Sequence, residues 1–419
     1  MRMTRRAVVA AGTLAGAAEA AVPTAGMAAD LDRYVGFGSK RSGGAGDEAG
    51  GQWLASRLEA LGYATRRQAI EVPFIEDEAC DLILADGTVV PLLAQAPWVA
   101  GEVSGRLFDP ANGRGEIAVV RLSHARWSTS QSPEVRAGLA AARAAGARGV
   151  VLVTNGPSGE ALALNALPGS PEPGAPVQAV LAPSKAGPVL AALASGQAAR
   201  LRLAGRIGRR PAWNLIGELD RRADRWLCIS TPRSGWFACA GERGPGIAVW
   251  LALAAWAARA PLRLNVALLA ASGHEFENHG GHLAIAAAMP PPSRTALWLH
   301  LGANLAARDW HETGGQLLPL SNADSQRFLV ATPDLLPAAR AAFAGLPGLE
   351  APYPSSRGAA GELGEVLKAG YAPAAGVFGA HRLHHAACDD MRCLHPPLVE
   401  AAAAAAERFL RAALAPHLG

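Results

Sequence analysis

Lysine is almost missing from this chain: of 39 basic residues only Lys40, Lys185 and Lys368 are lysine. Against 35 acidic residues the formal charge is only +4, and no basic run carries interleaved aromatics, so the electrostatic footprint of a nucleic-acid-binding protein is absent. Aromatics make up 5% and charged residues 18%, but half of the chain is hydrophobic, which excludes a disordered or fibrous protein. At 419 residues it can bury two separate cores. The five cysteines, Cys80, Cys228, Cys239, Cys388 and Cys393, lack zinc-finger spacing. Their odd count leaves at least one thiol free even if Cys388 and Cys393, nearest in sequence, are oxidised. After the first residues no stretch is apolar enough, once its charges are counted, to span a membrane.

Residues 1–29, MRMTRRAVVAAGTLAGAAEAAVPTAGMAA, set Arg5-Arg6 ahead of an Ala/Val/Leu-rich run that ends in small residues. This pattern reads as a twin-arginine or Sec export signal and implies a periplasmic or extracellular protein. Glu19 interrupts the apolar run, which leaves a disordered or membrane-proximal tail as the other reading.

Residues 48–62 carry Trp53, Leu54, Leu58 and Leu61 at helical spacing, with Gly62 as a stop. They open the main domain, read over 30–79. From about Cys80 the texture changes to short strands and turns, with Asp86-Gly87 marking a hairpin. GEIAVVRL, an alanine-rich helix and GVVLVTN follow, then a proline-led strand and another helix. These define a smaller, β-rich inserted domain over about 80–205. From 206 to 419, strands WNLIGEL, RWLCIST, RLNVALLAA, TALWLHLG and APAAGVFG alternate with helices GIAVWLALAAWAARA, GHLAIAAAM and PLVEAAAAAAERFLRAAL. The fold class is therefore α/β, with a mainly parallel mixed sheet covered by helices on both faces. Such folds place their chemistry at the carboxyl ends of the strands.

Four strand-end segments collect unusual polar residues. ISTPRSGWFACAGERGPG holds Thr231, Arg233, Ser234, Cys239, Glu242 and Arg243, and SGHEFENHGGH holds His274, Glu275, Glu277, His279 and His282. His300 follows TALWL, and AHRLHHAACDD supplies His381, His384, His385, Asp389 and Asp390. Counting His311 beside His300, eight of the eleven histidines fall here, a clustering that points to a site.

The succession resembles the zinc exopeptidases typified by secreted bacterial aminopeptidases, a family that includes glutaminyl cyclases. It extends over nearly the whole chain, from the helix after Arg41-Ser42-Gly43 to the closing loop and helix. The inserted segment resembles a protease-associated domain, of the kind that lids or shapes a neighbouring site. In that family one strand ends in His-x-Asp-Ser, a Gly-rich loop supplies a bridging Asp, and another strand ends in Gly-Glu-Glu. A later strand ends in Asp and a His-x-x-x-Asp loop closes the two-zinc set. Here Thr231 and Arg233 stand at the first His and Asp, Glu242 at the bridging Asp, and His274-Glu275 at the Glu-Glu pair. His300 stands at the second Asp and His385, four before Asp389, at the terminal His. Gly361-Glu362 replaces an Asp-His pair.

The resemblance thus implies at most one zinc ion, held by Glu242, Glu275 and His385 with His300 as a fourth ligand or a neighbour. His274 would move the proton, its ordinary pKa lying near working pH, and Arg243 would grip a substrate carboxylate. The expected activity is hydrolysis of an amide or related bond in a small or peptide-like substrate, an anionic one among the options. Two other readings stay open. Cys239, in a glycine-rich turn before a helix expected to begin near Gly246, would serve a metal-free nucleophilic enzyme with His274 or His385 as base. Alternatively the chain is a binding-only descendant, with Arg243 and Arg233 facing an anion.

Overall fold

The structure is a computed structural model that describes residues 23–419. Most of the expected export segment lies outside the described residues. Its end enters the fold: Met27 opens the helix Met27–Gly36 and is buried with Leu31 and Tyr34 against the helix Ala240–Arg259.

The main sheet runs in space Tyr353–Pro354, Arg327–Ala331, Ala374–Gly379, Thr295–Leu301, Trp226–Pro232, Asn265–Ala271 and Ala198–Leu219. Its centre is parallel, with Trp226–Pro232 between Thr295–Leu301 and Asn265–Ala271, and Ala374–Gly379 beside Thr295–Leu301. Antiparallel partners on both sides make the sheet mixed. Every residue of Asn265–Ala271 and Thr295–Leu301 is buried, as a sheet covered on both faces requires. Alternation sorts the two faces. Leu227 and Ile229 pack under Ala240–Arg259 and Pro396–Ala413, while Cys228 and Trp298 pack under His279–Ala287 and Glu362–Lys368. Cys228 is thus a core residue, and burial pushes its thiol up to about 12. All five cysteines are free, Cys388 and Cys393 included. Among the described residues no helix is long and apolar enough to cross a membrane.

A ribbon of two long antiparallel strands, Ala64–Leu84 and Ala198–Leu219, runs from Ala64 opposite Glu218 to Leu84 opposite Ala199, with a bulge between Asp77 and Ala79. It carries the chain out to a second body and back. There Gly101–Phe108, Ile117–His124, Gly149–Asn155 and Val177–Leu181 lie parallel, so crossovers are needed, and the helix Pro133–Ala144 supplies one. This body meets the main one through Trp98, packed edge-on against Trp236 and Phe276 at 6.3 and 6.1 Å between centroids.

Thr231-Pro232-Arg233 does not turn its arginine toward the strand-end pocket. Arg233 and Asp47 are each 1% exposed, with Arg233 Nε 3.1 Å from Asp47 Oδ1. Arg233 Nη1 also donates to the carbonyls of Trp213 and Ala270 at 2.7 and 3.2 Å, and the guanidinium stacks on Trp213 at 4.4 Å. The pair ties the helix Ala45–Ala60 to the sheet and takes Arg233 out of anion binding. Removing one partner leaves a buried charge uncompensated. Asp47→Ala should therefore destabilise the chain by about 3–5 kcal/mol, read as a lower denaturant midpoint at unchanged slope, and Asp47→Ala/Arg233→Met should recover part of the loss. Equal midpoints for Asp47→Ala and wild type would show that the pair holds nothing.

Candidate active site

The helix that follows Trp226–Pro232 begins at Ala240, six residues before the expected start. The residue before it does not cap it, since Cys239, at φ 52°, makes no side-chain hydrogen bond to the helix's free N–H groups. Asp389, from the loop after Ala374–Gly379, does so instead. Its backbone carbonyl accepts from Ala240 N at 3.4 Å, and its carboxylate accepts from Gly241 N at 2.6 Å and Glu242 N at 3.1 Å. These are orphan donors of a helix start, and a carboxylate there also meets the positive end of the helix dipole. Gly241 permits the approach, because a Cβ there would lie 2.9 Å from both Cys393 and His381. Burial pushes the His381 imidazole down, but Asp389, its Oδ2 3.3 Å from Nε2, outweighs burial and raises it.

Early helix formation puts Glu242 and Arg243 in the first turn, both buried. Arg243 Nη2 lies 2.6 Å from Glu242 Oε1, and Arg243 Nε donates to the Ser234 carbonyl at 3.0 Å. The same Glu242 oxygen faces His385 Nε2 at 3.4 Å and His384 Nε2 at 3.9 Å. Burial alone would push the Glu242 carboxyl up, yet the Arg243 guanidinium beside it holds it well below the usual carboxylate range. The two imidazoles stack with centroids 4.2 Å apart.

His385 has a fixed tautomer. Its Nδ1 lies 2.9 Å from the carbonyl of Ala163 in the inserted body, and Ala163 N donates back to the His385 carbonyl at 2.9 Å. A carbonyl only accepts, so Nδ1 carries the proton, and in the neutral ring Nε2 presents a lone pair to a carboxylate oxygen. Two acceptors facing one another are relieved by a ring proton or by a cation.

A metal ion is one such cation. Ligand atoms of Glu242, His384 and His385 lie within 4.8 Å of one another, all buried; among the described residues Glu242 Oε1 has no hydrogen-bond partner beyond its ion pair with Arg243, and His384 Nδ1 has none. Two imidazoles and a carboxylate, one imidazole oriented by a carbonyl behind it, fit zinc. The group differs from the one expected. Glu275 spends both oxygens elsewhere, accepting from Ser42 N at 2.7 Å and Ser234 Oγ at 2.8 Å. His300 bonds Ser230 Oγ through Nδ1 at 2.9 Å, and burial, then Arg243, lowers it to about 3. His384 takes their place, and the tandem His384-His385 was the sequence signal for it.

The remaining expected residues also find places. His274 lines a cavity of about 360 Å³ together with His300 and His384, opposite Trp127, Phe328 and Phe378. Burial, followed by Arg243, holds His274 well below its ordinary value, so it does not titrate near working pH as expected. Its Nδ1 lies 3.4 Å from Glu362 Oε1. Cys239 is buried, and burial, then Glu242 and Asp389, push its thiol well above the usual value, so it is no thiolate nucleophile.

Glu362, which sequence comparison placed but gave no role, is the site's second acid. Burial moves its carboxyl from the ordinary 4.5 up to about 8, against the pull of Arg243. Between those values the folded chain holds one proton more than the unfolded chain, so stability should fall as pH rises through that window. Glu362→Gln should flatten this slope between pH 5 and pH 8 in thermal-unfolding midpoints. Parallel curves for variant and wild type would show that Glu362 ionises normally.

No family model matches the chain, and no curated protein matches it by sequence. Solved structures do match. A peptidase M28 precursor from Shewanella amazonensis superposes with a TM-score of 0.72 at 16% identity over 95% of this chain and 94% of its own. A zinc aminopeptidase from Bacillus subtilis gives 0.71 at 15% over 94% and 95%, and an aminopeptidase from Aneurinibacillus sp. strain AM-1 gives 0.69 at 14% over 95% of each. The likeness drawn from the strand-end motifs therefore holds at the level of architecture, and the chain has the fold of the zinc aminopeptidases.

Proposed function

We propose that this chain is an exported enzyme that hydrolyses an amide or related bond of a small or peptide-like substrate, with a single zinc ion held by Glu242, His384 and His385. The observation that carries the proposal is the convergence on Glu242 Oε1 of two imidazoles, one with its tautomer set by Ala163. A zinc ion bound there supplies Lewis acidity beside the cavity that His384 lines. The chain's own groups supply the rest. Glu362, protonated up to about pH 8, donates to His274 Nδ1 and leaves the other ring nitrogen as a hydrogen-bond donor for a substrate carbonyl. Once Glu362 ionises, Nδ1–H donates to it instead, and the other nitrogen becomes a base able to take a proton from water. Trp127, Phe328 and Phe378 offer the cavity's apolar wall to the substrate. The inserted body, which we read as a protease-associated module, shapes this site: its Ala163 holds His385 and its Ala166 N donates to the Glu275 carbonyl at 3.1 Å.

One observation favours a second reading. The ion pair of Arg243 with Glu242 already supplies a cation, which suits a metal-free enzyme or a binding-only descendant with Arg243 as anion receptor. Zinc titration by calorimetry separates the readings. One zinc per chain is expected, lost in His384→Ala and His385→Ala and kept in Glu275→Gln. Turnover of an amide by protein that takes up no zinc would sink the one-zinc proposal, and ligand binding without turnover of any amide or ester would favour the binding module.

A further inference from the structure

The ion that fits Glu242, His384 and His385 would meet a residue already on the same oxygen. Arg243 is fully buried, with Nη2 2.6 Å from Glu242 Oε1. Among the described residues its one other anchor is the bond from Nε to the Ser234 carbonyl, and Nη1 and Nη2 have no hydrogen-bond partner beyond that ion pair. A guanidinium carries five N–H donors in a rigid fork, and Ser234 takes one. The others lie in the protein interior with a single carboxylate oxygen to serve them. That is an incomplete complement for a buried arginine, and a second carboxylate, gripped in two-pronged fashion, would complete it. Glu242 lies one side chain behind the cavity wall, since His384 both lines the cavity and approaches Glu242 Oε1 at 3.9 Å.

We infer that Arg243 competes with the metal for Glu242, so that zinc and a carboxylate ligand enter this site together, each strengthening the other. The inference rests on the one-zinc reading and adds to it the substrate class: an amide that carries a free carboxylate near its scissile bond. Zinc alone must draw Glu242 away from Arg243 and leave a buried guanidinium beside a dication, a repulsion that a low-dielectric interior amplifies. A ligand carboxylate on Arg243 replaces the charge that Glu242 withdraws. Arginine without a carboxylate thus keeps zinc weak, and zinc, by releasing Arg243 from Glu242, makes it a better carboxylate receptor. Linkage requires the two effects to be equal.

Calorimetric zinc titration of the full chain, in sodium acetate and in sodium perchlorate of equal ionic strength, tests this. Acetate should tighten zinc binding by about tenfold or more, the scale of typical site-to-site coupling, and zinc should tighten acetate binding by the same factor. Acetate's own weak affinity for zinc works against that result and cannot produce it. Arg243→Met should bind zinc in perchlorate as tightly as wild type does in acetate and lose the acetate effect. Arg243→Lys, which keeps the charge and guards against a misfolded Met variant, should retain an acetate effect, with circular dichroism as the check on folding. Zinc binding to wild type that acetate leaves unchanged, or equal zinc affinity of Arg243→Met and wild type in perchlorate, overturns the inference and leaves the one-zinc reading standing. Zinc binding by neither protein in either salt overturns the one-zinc reading itself and the inference with it.

Discussion

The site depends on one buried carboxylate, that of Asp389. Asp389 satisfies the free N–H groups at the start of the helix Ala240–Arg259, and the helix begins where Asp389 can reach it. Were the first turn to begin near Gly246, where the glycine and proline pattern suggests, Glu242 and Arg243 would belong to a loop with no fixed direction. Starting at Ala240 places both on a rigid turn, aimed back at the loop that supplied Asp389. His384 and His385 come from that same loop. The capping residue and the imidazoles therefore arrive as one unit, and Glu242 meets its histidines because its helix is capped by their neighbour.

The inserted body closes the arrangement from the other side. His385 sits at φ 56°, a left-handed conformation that a non-glycine residue holds only when its surroundings demand it. Ala163 meets that demand with two reciprocal hydrogen bonds, and Gln95 in turn holds the neighbouring Leu164 through both its N–H and its carbonyl, at 3.1 and 2.9 Å. A chain of buried hydrogen bonds thus runs from the second body's own core to the ring that faces Glu242. The second body sets a tautomer, which is a more specific service than covering the pocket.

Much of the architecture was legible because it follows hydrophobic period. The apolar runs around Val266, Leu297 and Ala375 read as buried strands, and the alanine-rich closing segment as a helix, since each pattern has one burial solution. The ribbon was not legible: Ala64–Leu84 interleaves charged residues with buried Ile70, Val72, Phe74 and Ile75 without a clean alternation, and it is held by pairing with a strand more than a hundred residues away. Nor was the true start of the helix at Ala240, because its cap lies 148 positions from Gly241. The same distance problem governed the site. Glu242 and His385 could be placed from motif spacing, but the diversion of Glu275 to Ser42 and Ser234, and of Arg233 to Asp47, depends on which partner is nearer in space.

These diversions share a charge logic. A pocket built for two zinc ions gathers several carboxylates that repel one another until metal arrives. In this chain the acids around the pocket are each answered within the protein. Glu242 has Arg243, Asp47 has Arg233, Glu275 has two hydrogen-bond donors, and Glu362 keeps its proton. His274, His300 and His384 are held neutral by burial, and Arg243 lowers each of them further. The pocket is near charge balance before any ligand enters, so this fold can close without metal. Under the one-zinc reading, a ligand's charge would disturb that balance at Arg243 beside Glu242, where the buried pair shares a single carboxylate oxygen.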